Sequence, residues 1–226
     1  MSRKFLTAIA VVAGGLAWAS HAKADLISIG LQEAGFNGGA ITTEGTGSGA
    51  VSIGPLSYGT FTVNQASAQD TAAAGLPVLL NSQSLNISSG SAGTLDVWVT
   101  AQGLTAPTGL VGLLSAFAVN NLTGSISSVT ERTFLDDPGN GQYTTTTPLS
   151  SAAFTGIATS SPPAVSETLS STFSVTEEYV IVAGGTGTDN LTIDLTADAP
   201  EPASLTLLGT ALVGLGWLGR RRRTQV

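Results

Sequence analysis

Apolar residues recur at every second position in short runs through the middle of the chain. Over residues 26–33, Ile27, Ile29 and Leu31 share one face while Ser28, Gly30 and Gln32 share the other. Residues 58–65 alternate through Phe61 and Val63, and Leu85 and Ile87 mark a brief strand. Residues 94–100 set Leu95, Val97 and Val99 against Asp96, Trp98 and Thr100. A period of two is the mark of a half-buried strand. Residues 111–119 are almost continuously apolar, which predicts a strand buried on both faces, and residues 125–135 form a long mixed one. Three more strands are expected over residues 169–175, 178–183 and 191–196.

Between these runs the punctuation is turn chemistry. Residues 37–49 are Gly/Thr-rich and read as a loop, as do residues 160–165 with Pro162-Pro163 and the stretch Gly184-Gly185-Thr186-Gly187. Asp136-Asp137-Pro138-Gly139-Asn140-Gly141 is the strongest turn signal. Asp70 could cap a short helical turn within residues 70–80, stopped by Gly75 and Pro77. Short alternating strands without a long amphipathic helix predict an all-β domain, a single antiparallel β-sandwich of Ig-like or jelly-roll-like kind.

The two ends break the pattern. Arg3 and Lys4 precede an apolar stretch over residues 5–18, and Ala22-Lys23-Ala24 follows with the small-x-small spacing of a signal peptidase site at Ala22 and Ala24. Residues 1–24 are therefore expected to be a signal peptide, leaving Asp25 as the mature N-terminus. No Cys follows, so a lipoprotein anchor is not expected. At the other end, Pro200 and Pro202 predict an extended, exposed spacer. Residues 203–219 carry no charge and predict a transmembrane helix about 25 Å long, with Trp217 at its basic end. Arg220, Arg221, Arg222 and Arg223 would hold that end in the cytoplasm, placing the domain at residues 25–198 across the inner membrane.

Composition sharpens this division. The formal net charge of −7 hides an uneven distribution: seven of the eight basic residues lie in the two terminal segments. The middle keeps Arg132 against 14 acidic residues. A body so acidic repels nucleic acid, which excludes that partner class. More than a quarter of it is Ser or Thr, and aromatic residues are scarce.

The tail, residues 199–226, resembles the PEP-CTERM sorting signal of bacterial envelope proteins. The resemblance rests on Pro200-Glu201-Pro202, the Ala203-Ser204-Leu205 that follows, the Gly-containing apolar run and the Arg cluster, in that order. Ala199 stands where such tails often have Val. The resemblance implies recognition by an exosortase-type enzyme in the membrane, removal of the anchor, and release or transfer to the cell surface; in that family the genes often lie beside exopolysaccharide biosynthesis genes. Pro200, Glu201 and Pro202 would then be a substrate site for another enzyme.

Little catalytic chemistry remains in the middle segment. His21 is the only histidine and falls in the expected signal peptide; there is no Cys, and no Lys between residues 25 and 199. Ser-His-Asp, Cys-His and Ser-Lys arrangements and His- or Cys-ligated zinc are excluded, and no cofactor is expected. Carboxylates survive. Glu177 and Glu178, adjacent on a strand, must point to opposite faces and cannot flank one glycosidic bond. Asp136, Asp137 and Asn140 read as turn residues rather than a calcium loop. Trp98 could be a sugar platform or a half-buried strand aromatic. Asn86-Ile87-Ser88, Asn121-Leu122-Thr123 and Asn190-Leu191-Thr192 match the glycosylation pattern, as chance triplets do in a Ser/Thr-rich chain. The expected function is non-enzymatic, structural or adhesive in an exopolysaccharide matrix. The alternatives are a carbohydrate-binding module for exopolysaccharide and a carboxylate-only glycosidase.

Overall fold

The computed structural model describes Ala24, residues 26–70, residues 78–198 and Thr210. Twelve strands follow one another: β1 Leu26–Glu33, β2 Thr42–Gly47, β3 Ala50–Ile53, β4 Leu56–Tyr58, β5 Phe61–Gln69 and β6 Val78–Ser89. They continue as β7 Ala92–Leu104, β8 Gly109–Asp136, β9 Thr147–Phe154, β10 Ala158–Ser160, β11 Val165–Leu169 and β12 Phe173–Asp198. A 3-10 turn at Asn37–Gly39 precedes β2.

Every ladder is antiparallel, and two strands organise the rest. β8 and β12 are 28 and 26 residues long and pair from Ser174↔Asp136 to Asp198↔Gly112. Neither contains a proline, so no ladder donor is missing along either. The first part of β12 takes β7 as its other neighbour, from Phe173↔Leu104 to Gly184↔Ala92. The second part takes β6, from Gly187↔Ser89 to Thr196↔Val78. Two layers result. One runs β2-β1-β7-β12-β8-β9, and the other runs β3 and β4, then β5-β6-β12-β8, then β10 and β11. The same two strands cross from one layer to the other, as strands that turn sandwich corners do.

The crossing needs a local offset. Ala183 pairs with Ile126 and Gly187 with Gly124, so Gly184, Gly185 and Thr186 stand opposite Ser125 alone. Gly124 has φ of +70°, and a Cβ there would lie 2.5 Å from the Thr186 carbonyl oxygen. Beyond the bend the two halves of β8 face each other: Ser115 and Thr133 share a hydrogen bond of 2.7 Å. Side chains at odd positions of β12, from Val175 to Ala197 on either side of the bend, fill the space between the layers. Phe61, Phe117, Phe173 and Tyr58 join the aliphatic residues of β1, β5, β6 and β7 there. Each fully buried large side chain contributes about 1.5–3 kcal/mol.

The structure is thus the expected antiparallel β-sandwich, with several boundaries moved. Residues 111–119 and 125–135 belong to one strand, and Gly184-Gly185-Thr186-Gly187 is a bend inside β12 rather than a loop. Residues 42–47, within the expected loop at 37–49, form β2, because pairing with β1 supplies the order that a Gly/Thr sequence does not. Residues 78–80 of the expected helical turn begin β6; residues 71–77 lie outside the described residues. Asp70 instead accepts a hydrogen bond from the backbone of Ala24.

Gly124→Val combines a forbidden φ with a backbone clash, so it should destabilise the domain by more than about 2 kcal/mol in urea unfolding. Gly109→Ala, where φ is also positive but the surroundings are open, should cost only about 1 kcal/mol. Equal losses at both sites would contradict the tight crossing.

Candidate functional site

Alternation along β12 sends Glu177 into the core and Glu178 outward, as two adjacent strand residues must go. The inward side carries a cluster of acids. Glu131 stands opposite Tyr179 in the β8–β12 ladder, and Thr133 opposite Glu177. Asp189 lies near the bend of β12. Glu131, Glu177 and Asp189 are 0% exposed, and none of their carboxyl oxygens, nor the Tyr179 hydroxyl, has a hydrogen-bond partner. No cation faces them: Arg132 is the only Lys or Arg among the described residues and it lies on the outer face.

Burial without a counter-charge keeps these groups protonated. It raises Glu131 to about 8, with the Asp189 charge adding and the Ala118 backbone opposing more strongly than Asp189 adds. It raises Asp189 to about 8 against the backbone at Ile87. Glu177 is pushed well above the ordinary carboxylate range by burial, then by Asp194 and Glu131, against Ser82. Tyr179 is raised by burial and by Glu177 and Glu131. The backbone groups at Ala118, Ser82 and Ile87 are near enough to ease the penalty but not in hydrogen-bonding geometry. Acids enclosed in this way cannot reach a polymer substrate.

The outer face of the β1–β7–β12–β8 layer holds the row Gly30, Trp98, Glu178 and Arg132. Arg132 Nη1 lies 3.0 Å from Glu178 Oε2. Burial, then the Glu178 charge, raises Asp96 to about 6, with Arg132 opposing. Tyr143, from the β8–β9 loop, covers part of this face: its backbone N–H donates to Thr100 Oγ1 at 3.0 Å and its hydroxyl to Thr43 at 3.1 Å. A Cβ on Gly30 would fall 2.7 Å from the Tyr143 ring, so the close approach requires glycine. Trp98 is only 8% exposed, which removes it as an open sugar platform.

The turn residues serve the fold. Asp136 accepts from Gly141 N–H at 2.9 Å and from Thr146 Oγ1 at 3.2 Å. Asp137 accepts from the Ser170 N–H at 2.9 Å and from its hydroxyl. Asn140 accepts through its backbone oxygen from Gln102 at 2.7 Å and through Oδ1 from Gly103 N–H at 2.5 Å. Among the described residues, no three His, Cys, Asp or Glu side chains are grouped to hold a metal ion. A depression of about 290 Å³ between β3 and β5 is lined by Val51, Ala68, Gln69 and Gln83, with no ionisable group.

Of the residues expected from sequence to carry function, Ala24 is buried and its N–H is held by Asp70. Ala22, Pro200, Glu201, Pro202, Arg220, Arg221, Arg222 and Arg223 lie outside the described residues, as does the expected helix at 203–219 apart from Thr210. Among the described residues, no helix is long and apolar enough to cross a membrane, which says nothing of strands. The inward acids Glu131 and Asp189 escaped the sequence reading, although Glu131 sits in phase with Val129 and Leu135, where an apolar residue belongs.

The fold is therefore an all-β domain whose last strand, β12, ends at Asp198. Residues 198–223 match the PEP-CTERM protein-sorting motif, so the chain carries that sorting signal at its C-terminal end. No curated protein matches the chain. Among solved structures, the carbohydrate-binding module TmCBM61 in complex with β-1,4-galactotriose is similar at 9% identity and a TM-score of 0.31, over 60% of this chain and 81% of that one. The C-terminal CBM6 of LamC, a marine laminarinase from Zobellia galactanivorans, is similar at 13% identity and 0.28, over 65% and 98%. A cleaved adhesin domain of Lys-gingipain from Porphyromonas gingivalis is similar at 14% identity and 0.34, over 70% and 94%. At these scores the likeness transfers neither ligand nor activity.

The interior acids give the domain an inverted pH response. Their folded pKa values lie above the ordinary 4.5 of Glu and 3.8 of Asp, so the folded state holds protons that the unfolded chain gives up. Their stabilisation is complete below about pH 4 and is lost as pH rises towards 8. Thermal melting of the full chain should show Tm falling over that window, and Glu131→Gln with Glu177→Gln should flatten the fall. A Tm that climbs from pH 4 to 8 would contradict the protonated interior.

Proposed function

We propose that this chain is the precursor of an exported, non-enzymatic scaffold protein. It is cleaved by signal peptidase after Ala24, tethered in the inner membrane by residues 203–219, and then processed by an exosortase-type enzyme at the Pro200-Glu201-Pro202 signal. Its working form is the β-sandwich, with a structural or adhesive role at the cell surface or in an extracellular exopolysaccharide matrix.

One observation carries the reading: the sandwich ends where the sorting motif begins. The last ladder pair of β12 is Asp198↔Gly112, and the motif match starts at residue 198. Removal of the tail beyond that point leaves every described strand pairing in place. Cleavage after Ala24 also spares β1, which starts at Leu26, and exchanges the Ala24–Asp70 contact for a free ammonium group at Asp25. A non-catalytic role is favoured because the chemistry available is enclosed or engaged. Glu131, Glu177 and Asp189 are shut in the core, and Glu33, Asp136, Asp137 and Glu178 each hold a structural hydrogen bond.

Deletion of residues 200–223 should leave the protein in the soluble periplasmic fraction, whereas Pro200→Ala with Glu201→Ala and Pro202→Ala should accumulate uncut precursor in membranes. A tail-deleted protein that still sediments with membranes would refute the tether.

A further inference from the structure

The three Asn-X-Ser/Thr triplets lie far apart in sequence but share one surface. In the β5–β6–β12–β8 layer, Asn190 pairs with Asn86 on one side and with Asn121 on the other. One step along, Thr188 pairs with Ser88 and with Thr123. Bulges enlarge the set: Asn120 is the extra residue where the register shifts between Asn190 and Leu191, and Asn64 is the extra residue between Val63 and Gln65. The outcome is a sheet face four strands wide, about 14 Å across, paved with amides and hydroxyls.

Side-chain hydrogen bonds hold the pavement in place. Asn64 Nδ2 donates to Asn86 Oδ1 at 2.9 Å and to Ser88 Oγ at 2.7 Å. Asn120 Nδ2 donates to Asn190 Oδ1 at 3.2 Å and to Thr192 Oγ1 at 3.1 Å. Asn121 Nδ2 donates to Thr188 Oγ1 at 3.3 Å, and Thr188 and Thr123 share a hydroxyl bond of 2.7 Å. Asn86 and Asn190 are thereby fixed through Oδ1, and their Nδ2 groups have no protein acceptor among the described residues. Three strands about 4.8 Å apart leave no room for a glycan on each of three facing asparagines, so the three triplets do not serve together as modification sites.

Charge decides the partner. Over these four strands the outward face has no charged side chain until Asp194, two residues beyond Thr192. An acidic polymer would find no cation on this face and an acidic body around it; a basic one would find no carboxylate within the array. Amides and hydroxyls that both donate and accept match the hydroxyl groups of a sugar. We infer that the Asn/Thr face of the β5–β6–β12–β8 layer is a binding surface for an uncharged polysaccharide chain. This deepens the matrix role proposed above only in naming what the scaffold touches. Binding is assayed on the purified chain and export by fractionation, so either can fail without the other.

Affinity electrophoresis of the full chain in detergent, through gels holding dextran, β-glucan, galactomannan or alginate, tests the surface. Retardation is expected in at least one neutral gel and not in alginate. Combined Asn86→Ala, Asn121→Ala and Asn190→Ala should weaken it about tenfold or more. Thr130→Ala with Ser151→Ala, on the other layer, should leave it unchanged. Asn190→Asp, which keeps the side-chain shape and the acceptor for Asn120, should melt like the parent and weaken the retardation as well. Migration unaltered in every neutral gel, retardation in alginate, or a triple variant that binds like the parent would overturn the inference. So would sugar found covalently attached to Asn86, Asn121 or Asn190, or self-association that the triple variant abolishes.

Discussion

The domain depends on one ladder, the antiparallel pairing of β8 with β12. Most sandwiches hold two sheets together by packing alone, so either layer can loosen first. Here the same two strands supply the centre of both layers, and their hydrogen bonds run through the crossing. Breaking one layer therefore means breaking a ladder that the other shares. The edge strands β2, β3, β4, β9, β10 and β11 are short by comparison, three to eight residues. β9, β10 and β11 hang on β8 itself, and β2, β3 and β4 on β1 and β5, one strand beyond the spine's neighbours β7 and β6. Short edges also limit pairing with other chains.

The spine also explains what the interior acids can and cannot be. Glu131 and Glu177 enter the core from its two strands, next to Tyr179, with no cation inside to meet them. In a low-dielectric interior they persist only as neutral acids, which costs stability as the medium becomes alkaline. That cost is a property of the folded domain. The same alternation that buries these groups turns Glu178 outward to Arg132, the one basic side chain among the described residues.

Much of this was legible in the sequence, because period-two alternation at Ile27, Ile29 and Leu31 or at Leu95, Val97 and Val99 reports burial directly. The continuity of β8 and β12 was not. Gly124 and Gly184-Gly185-Thr186-Gly187 carry the chemistry of a loop, and only pairing between distant segments makes them a bend within strands. β2 was hidden for a related reason, since Thr42–Gly47 has no apolar face and draws its order from β1. The Asn/Thr surface was invisible because register, not composition, brings Asn86, Asn121 and Asn190 into one row. The sorting tail, by contrast, was readable at once: its order of prolines, apolar run and arginines needs no tertiary context, and residues 198–223 match the motif.

The proposed precursor carries its sandwich between two segments that processing would remove. Intact-mass measurement of the product recovered from its native host tests that most directly. The expected product is a polypeptide that starts at Asp25 and ends at or shortly after Asp198, with β1 to β12 entire. A full-length mass running from Met1 to Val226 would contradict it.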